Sequence, residues 1–216
     1  MVMGDDLRAS LYSFDLVQRR AKKPVGVPDK ELARPVTKVG ILGAGLMASQ
    51  LAMLFARRLQ VPVVMTDLDQ ERVDAGVARV HADIDALAAK GRLLADKASR
   101  LKGLVSGSTD VAAFTGAEFI LEAVFEDLSV KKEVFAAIED VVSETCILAT
   151  NTSSLSVTAM ASDLRHPERV VGFHFFNPVA VMPLLEIARA EKTDDASVAT
   201  AFAVGKELKK SCVLVA

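Results

Sequence analysis

The stretch Val39-Gly40-Ile41-Leu42-Gly43-Ala44-Gly45-Leu46-Met47-Ala48 decides the fold. It begins as a short apolar run, typical of a buried strand, and continues into an Ala-, Leu- and Met-rich segment that predicts a helix over residues 46–59. The turn between them has the pattern G-x-G-x-x-A. Gly43 permits a tight turn, Gly45 lets a pyrophosphate approach the backbone, and Ala48 is small enough for the helix to pack against the strand. The helix N-terminus offers free N–H groups and a partial positive charge to the phosphates.

An acidic residue after the next predicted strand favours this interpretation over the alternative that the glycines form an ordinary turn. Asp67 follows residues 61–66, near the spacing of about 20 residues expected for a carboxylate that binds the adenosine ribose. Asp67 could instead cap the following helix, although Asp69 could also do so. A carboxylate about 4 Å from the 2′-phosphate of NADP costs on the order of 4 kcal/mol. No arginine adjoins Asp67 to offset this repulsion, so we expect the cofactor to be NAD.

Short apolar runs alternate with longer helical segments along the chain. Strands are predicted at residues 39–42, 61–66, 104–106, 118–124, 146–150, 169–173, 184–187 and 213–215. Further helices are predicted at 71–101, with a break near Gly91, and at 129–142, with Ser129 as the cap. This alternation predicts βαβ units. The fold class is therefore α/β, a Rossmann-type doubly wound and mainly parallel sheet with helices on both faces.

The first 35 residues have a different pattern. Leu7, Leu11 and Phe14 form an apolar stripe at helical spacing, which predicts a helix that stops at Pro24. Residues 24–36 are rich in Pro and Gly and predict a linker or extended arm. We therefore divide the chain into residues 1–35, a helix and linker, and residues 36–216, a dinucleotide-binding domain.

Composition restricts the class of protein. Hydrophobic residues make up 51% and charged residues 25%, with a net charge of −2, which excludes disorder for the bulk of the chain. No apolar run approaches the ~18 residues of a membrane-spanning helix, and a pI near 6.0 argues against nucleic-acid binding. Cys146 and Cys212 show neither metal-ligand spacing nor a disulfide pattern. Because the acidic N-terminus also lacks a signal core, we expect a reduced, cytoplasmic location and no metal.

Polar residues cluster in the second half of the chain. Residues 151–154, Asn-Thr-Ser-Ser, follow a strand at the sheet edge where ligands bind, although they could instead cap a helix at 156–163. His174 ends an apolar strand, where a lone histidine is usually structural. Glu186 lies in a second apolar strand, and a buried carboxylate needs a partner such as an imidazole. The pair would fix the tautomer of His174 and raise its basicity. We expect His81 and His166 to be solvated.

Four features occur in order along the chain. They are the fingerprint with Leu46-Met47, the run Glu122-Ala123-Val124-Phe125-Glu126, residues 151–155 (Asn-Thr-Ser-Ser-Leu), and His174-Phe175-Phe176-Asn177-Pro178 with Glu186. Together they resemble the 3-hydroxyacyl-CoA dehydrogenase family over residues 36–216. Ala48 departs from the glycine of most members, but the helix needs only a small residue there. Residues 1–35 resemble the segment that precedes the dehydrogenase part of the multifunctional alpha subunit of bacterial fatty-acid β-oxidation complexes.

The resemblance implies a role for each matching residue. His174 would take the proton from the 3-hydroxyl of an L-3-hydroxyacyl-CoA thioester as hydride leaves carbon 3 for NAD. Glu186 would be its dyad partner, and Ser153 would hydrogen-bond the reacting oxygen near the nicotinamide. Lys90 would meet the coenzyme A part. The residues expected to bind NAD are Gly43, Gly45, Leu46, Met47, Ala48, Asp67, Glu126, Lys131, Ser153 and Asn177.

The resemblance also implies partners and leaves alternatives open. A hydratase domain and a thiolase subunit would accompany the chain in an intact complex. A catalytic asparagine and a helical domain would follow Ala216, so we expect the chain to be a fragment. It could therefore be an NAD-binding module with little or no turnover, because the missing groups supply positioning and oxyanion stabilisation. A dehydrogenase of free hydroxyacids would share the fold, whereas a hydrolase triad of Ser153, His174 and Glu186 lacks a G-x-S-x-G turn.

Overall fold

Residues 25–215 are described by the computed structural model, and the helix predicted from the first residues lies outside them. Eight strands in the described residues form one sheet. The strands are β1 (Val39–Leu42), β2 (Val63–Thr66), β3 (Val105–Ser108), β4 (Phe119–Glu122), β5 (Ile147–Thr150), β6 (Val170–Phe175), β7 (Leu184–Arg189) and β8 (Ser211–Val215). The helices are α1 (Leu46–Leu59), α2 (Gln70–Ala89), α3 (Ala95–Leu104), α4 (Leu128–Glu139), α5 (Val157–Ala161) and α6 (Asp195–Glu207).

The order of the strands confirms the predicted fold class. Across the sheet they run β3-β2-β1-β4-β5-β6-β7-β8, and β1 to β6 are parallel. β7 is antiparallel to β6, and β8 is parallel to β7. The strand order reverses between β1 and β4, and ligands of open α/β sheets bind beyond the carboxyl ends of the strands at such a point. The fingerprint lies there because it directly follows β1.

Helices cover both faces of the sheet, which explains why the strands are apolar on both sides. On one face, Leu51 and Phe55 of α1 pack with Val80 of α2 and Val204 of α6. On the other face, α4 and α5 contribute Phe135 and further apolar side chains. Leu51 and Phe55 are one helical turn apart and fully buried, so α1 presents a single apolar face to the sheet. Within residues 25–215, every helix is too short or too polar to span a bilayer.

A series of aromatic ring contacts runs from α1 through β4 to β6. The ring centroids of Phe55 and Phe119 are 5.9 Å apart, those of Phe119 and Phe173 are 5.2 Å apart, and those of Phe173 and Phe175 are 5.3 Å apart. Such pairs each contribute about 0.5–1.5 kcal/mol beyond their buried area. The series connects α1, which begins at the fingerprint, with β6, which ends next to His174.

Of three helical features, one agrees with the prediction from the sequence and two do not. The break near Gly91 is confirmed, because α2 and α3 are separate helices on either side of it. The cap of α4 is Asp127 and not Ser129, since a carboxylate oxygen of Asp127 accepts the N–H of Ser129 at 2.9 Å. A carboxylate at this position also interacts favourably with the helix dipole. α6 was not predicted, because it is buried on nearly all sides and lacks an amphipathic stripe.

The arm before β1 lies against the domain. The N–H of Arg34 donates to Oγ1 of Thr200 at 2.9 Å, and its guanidinium donates to the carbonyl of Thr145 at 3.2 Å and to Asp194 at 3.3 Å. A short 3-10 turn, Lys30–Leu32, packs on α6. The described part of the predicted linker is therefore an extended arm docked on the domain. The boundary between residues 35 and 36 stays a prediction.

Candidate functional site

The fingerprint loop leaves room that the protein itself does not fill. Gly43 has a φ of 108°, and a Cβ there would lie 2.9 Å from the carbonyl oxygen of Ala123, so the turn requires glycine. Gly45 has a φ of −70°, and a Cβ there would meet no protein atom within 4 Å. Nothing in the described chain requires glycine at this position, which fits a pyrophosphate approaching the backbone. α1 begins after Gly45 without a side-chain cap, so its first N–H groups are open to an anion.

Asp67 lies beside this loop and does not cap α2. Its Oδ2 accepts the N–H of Ala44 at 2.8 Å, and its Oδ1 accepts the N–H of Leu68 at 2.8 Å. The cap is Asp69, which accepts the N–H of Arg72 at 2.8 Å. The expectation that no arginine adjoins Asp67 is wrong, because Nη1 of Arg72 lies 3.7 Å from Oδ1 of Asp67. The first turn of α2 brings this arginine back towards the end of β2.

A cavity of about 580 Å³ opens beside the loop. Its lining comprises residues 43–47, Asp67, Leu68, Arg72, Ala75, Arg79, residues 123–125, Val130 and Val134. α2 closes one wall, because a Cβ at Gly76 would lie only 2.8 Å from the carbonyl oxygen of Ala44. The cavity volume lies within the range of about 300–1,000 Å³ typical of small-molecule sites. Five of the predicted cofactor residues line this cavity, and Ala48 is fully buried behind them.

A second polar group lies at the carboxyl end of β6. The antiparallel register sets His174 directly opposite Glu186, and Nδ1 of His174 lies 2.9 Å from Oε2 of Glu186. Because a carboxylate only accepts hydrogen bonds, Nδ1 carries a proton, and in the neutral tautomer of this ring the lone pair lies on Nε2. The side chains are 21% and 35% exposed. The structure thus brings the two predicted dyad residues together and leaves Nε2 without a hydrogen-bond partner among residues 25–215.

The loop after β5 joins this group. Oδ1 of Asn151 accepts the N–H of Phe175 at 2.9 Å, which fixes the loop against the residue next to His174. Ser153 is exposed, and its N–H donates to Glu126 at 3.3 Å. Residues 151–154 do not cap α5, because Ser156 does so by accepting the N–H of Ala159 at 3.2 Å. The loop is therefore available for another role.

A buried ion pair lies close to the loop after β5. Nζ of Lys131 donates to both carboxylate oxygens of Glu122, at 2.7 and 2.8 Å, and neither side chain is more than 1% exposed. Glu122 also accepts the hydroxyl of Thr150 at 2.6 Å and the N–H of Val124 at 2.7 Å. This role of Glu122 was missed from the sequence, although it is a carboxylate in an apolar strand, the same signal that identified Glu186. Lys131 was expected to contact NAD. Its ammonium is already engaged by Glu122 and Glu126, and the contact with NAD stays a prediction.

Glu126 connects the ion pair to the loop. One oxygen lies 3.2 Å from Nζ of Lys131, and the other accepts hydrogen bonds from the hydroxyl of Thr152, the N–H of Ser153 and the hydroxyl of Ser154. Partial burial raises the pKa of Glu126, but the hydrogen bond from Thr152 and the charge of Lys131 outweigh this and hold the pKa below its usual value. Glu126 is therefore an ionised carboxylate that connects Lys131 to the Ser153 loop.

Two other predicted residues lie at the surface. Asn177 is exposed in the loop after β6, and that loop is tied to α1 by the N–H of Val179, which donates to Gln50 at 3.0 Å. Lys90 is exposed at the C-terminal end of α2. Since α2 starts beside Asp67 and a helix of its length spans about 30 Å, Lys90 lies at its far end and does not line the cavity. The proposed contacts of both residues remain predictions.

The remaining candidates have no part in this arrangement. His81 and His166, expected to be solvated, are half-buried: Nε2 of His81 lies 3.3 Å from the carbonyl of Lys102, and Nδ1 of His166 lies 3.1 Å from Glu168. No hydrogen bond joins Ser153 to His174 in residues 25–215, so the hydrolase triad is not assembled. The same residues hold no cluster of three or more potential metal ligands. Burial raises the pKa of both cysteine thiols to about 12, as expected for unreactive core residues.

Comparison with known proteins agrees with this geometry. The family model described as 3-hydroxyacyl-CoA dehydrogenase, NAD binding domain, matches residues 38–216. A peroxisomal fatty acid beta-oxidation multifunctional protein of Arabidopsis thaliana is 35% identical over 216 residues, which are 100% of this chain and 30% of the relative. The corresponding protein of Oryza sativa is 33% identical, again over 100% of this chain and 30% of the relative. The chain thus spans less than a third of the length of these curated relatives.

Solved structures give the same assignment. The 3-hydroxybutyryl-CoA dehydrogenase of Escherichia coli has a TM-score of 0.81 and 32% identity, covering 84% of this chain and 38% of that one. The dehydrogenase part of multifunctional enzyme 1 from C. elegans has a TM-score of 0.74 and 32% identity, covering 85% and 42%. Since the family match, the strand order and the fingerprint geometry agree, the chain belongs to the 3-hydroxyacyl-CoA dehydrogenase family, and residues 38–216 are its NAD-binding domain.

Proposed function

We propose that the chain carries out the NAD-dependent oxidation of L-3-hydroxyacyl-CoA to 3-ketoacyl-CoA in fatty-acid β-oxidation. The observation that carries this proposal is the His174–Glu186 pair, which leaves Nε2 free next to the Ser153 loop. A base with an open lone pair is what removal of a hydroxyl proton requires. The names of the multifunctional relatives support the β-oxidation setting, and the dehydrogenases of known structure support the reaction class.

The chain's own residues would divide the work as follows. Nε2 of His174 takes the proton of the 3-hydroxyl, and Glu186 holds the tautomer and stabilises the imidazolium that forms. Ser153 donates a hydrogen bond to the reacting oxygen and keeps it beside His174. Gly43, Gly45 and Asp67 would hold NAD, which when bound supplies the acceptor for the hydride from carbon 3. The fit of this group rests on the empty space at Gly45 and the uncapped start of α1.

The surroundings of the reaction are also part of the proposal. The substrate would be an acyl-CoA thioester, with Lys90 meeting the coenzyme A part. A hydratase domain and a thiolase subunit would be partners in an intact complex. We keep the expectation of a cytoplasmic location as a prediction, whereas the Arabidopsis and rice relatives are described as peroxisomal.

The experiment that tests the proposal has two steps on the full 216-residue chain. NADH binding is measured by calorimetry, and acetoacetyl-CoA is then added while the absorbance of NADH is followed. We expect binding, followed by loss of NADH that requires the coenzyme A thioester and does not occur with free acetoacetate. Binding without turnover would support the alternative of an NAD-binding module with little or no activity. Turnover of the free acid would instead support a hydroxyacid dehydrogenase.

A further inference from the structure

We infer that Arg72 determines how strongly this chain prefers NAD over NADP, by weakening the discrimination that Asp67 would impose alone. The inference rests on the proposed function only in that a nicotinamide dinucleotide must occupy the cavity. It concerns the ribose end of that cavity, whereas the proposed reaction concerns the dyad, so the two can fail separately.

Arg72 lies close to two carboxylates at the edge of the cavity. Its Nη1 lies 3.7 Å from Asp67, its Nε lies 3.2 Å from Asp69, and its side chain is 52% exposed. It lines the cavity together with Asp67 and Leu68. A guanidinium has five N–H donors in a planar fork that matches phosphate oxygens. The two carboxylates engage only part of that fork, so donors remain for a phosphate on the adenosine ribose.

Asp67 is held in place by the backbone around it. Two backbone N–H groups bind it at 2.8 Å each, so its carboxylate is fixed at the end of β2 and cannot turn away from the ribose. Its side chain is only 15% exposed. A 2′-phosphate arriving here would meet the negative charge of Asp67 and also the positive charge of Arg72, whose Nη1 lies 3.7 Å from that carboxylate. The two charges act in opposite directions on the phosphate, while the uncharged 2′-hydroxyl of NAD is affected little by either.

The other arginine of the cavity does not have this property. Nη1 of Arg79 donates to Oγ of Ser49 at 3.1 Å and to the carbonyl of Ala44 at 3.4 Å. It is thereby tied to the phosphate-binding loop, whose pyrophosphate is common to NAD and NADP. Arg79 therefore favours both cofactors equally, and Arg72 is the residue that separates them.

The test compares NAD and NADP binding to the full chain by calorimetry, with and without Arg72→Ala. We expect the Kd for NADP to rise about tenfold and the Kd for NAD to change by less than twofold. Arg72→Lys keeps the charge without the fork and should give an intermediate NADP affinity. Arg57→Ala, in the last turn of α1 and exposed, is the matched control for the change of net charge and should leave the ratio unaltered.

Two results would overturn the inference. Unchanged affinities for both NAD and NADP in Arg72→Ala would show that Asp67 alone sets the preference. An equal rise in the Kd of both cofactors would show that Arg72 acts only on the overall electrostatic potential or the shape of the cavity. The proposed dehydrogenase reaction would survive either result, because it depends on turnover and on His174. The effect on NADP should also shrink with added salt, since Arg72 is half-exposed.

Discussion

Two of the acid–base pairs in this domain, Glu122–Lys131 and His174–Glu186, both join a nitrogen to a carboxylate but lie in opposite surroundings. Glu122 and Lys131 are at most 1% exposed, whereas His174 and Glu186 are 21% and 35% exposed. Each oxygen of Glu122 is engaged twice, by Lys131 and by Thr150 or Val124. The dyad has a single internal bond and an open nitrogen at the sheet edge. A polar pair that satisfies itself supports the fold, and a pair left incomplete is available for chemistry.

Burial explains why both arrangements exist in one domain. Moving a charge into the core has a desolvation cost, and this cost must be offset by attraction to nearby groups of opposite charge and by hydrogen bonds. Glu122 meets that condition and in turn lets Lys131 hold Glu126 against the Ser153 loop. The dyad lies where water and ligands can reach it, so an unused lone pair on His174 costs little. The buried pair therefore provides the rigid base on which the exposed pair can act.

Replacing the proposed base gives the largest expected effect. We expect His174→Gln to lower turnover by about 10²–10⁴-fold, the usual contribution of a general base. The Kd for NADH should change by less than about twofold, because the proposed role of the imidazole is on the substrate and not on the cofactor. Turnover and calorimetry on the same samples measure both quantities. His81→Gln, on α2, is the matched control, and a loss of NADH affinity as large as the loss of turnover would make His174 structural.

Breaking the buried pair should act on stability first. We expect Glu122→Gln to lower the free energy of unfolding by about 3 kcal/mol, because Lys131 would keep a buried charge with one carboxylate fewer. Urea unfolding measures this, and Glu133→Gln on the exposed side of α4 is the control. Adding Lys131→Met should restore part of the loss, since the uncompensated charge is then removed. A change below about 1 kcal/mol in the single variant would remove the distinction between the two pairs.

Loosening the link between the two regions should have the smallest effect. Thr152→Val removes the hydroxyl that donates to Glu126 and accepts the N–H of Leu155. We expect a loss of about 1 kcal/mol in unfolding free energy and a rise in the pKa of Glu126 towards its usual value. Turnover should fall more than NADH affinity, because the proposed role of the Ser153 loop is to contact the substrate. Thr152→Ser should restore turnover, and failure to do so would mean that the methyl group, not the hydroxyl, holds the loop.

The fold was largely predictable because its signals are local. The periodicity of the apolar residues, the spacing of the glycines and an acidic residue after the second strand predicted the Rossmann-type sheet and the cavity residues from Gly43 to Asp67. The pairing of His174 with Glu186 was also predictable, since a carboxylate in an apolar strand needs a partner. α6 has no periodic stripe, so its burial hid it. The approach of Arg72 to Asp67 and the bond from Lys131 to Glu122 depend on how helices return to the sheet, which spacing alone did not indicate.

The antiparallel register of β6 and β7 has a consequence for how this site can vary. His174 and Glu186 face each other through the strand ladder, and Gly172 meets Ala188 so closely that a Cβ on the glycine would lie 2.6 Å from that of the alanine. Insertions in the connection at 176–183 would therefore leave the facing pair in place. A slip of β7 by one residue against β6 would instead turn Glu186 to the opposite face of the sheet. We therefore expect the facing of His174 and Glu186 to tolerate changes in loop length but not a one-residue shift in the register of β7.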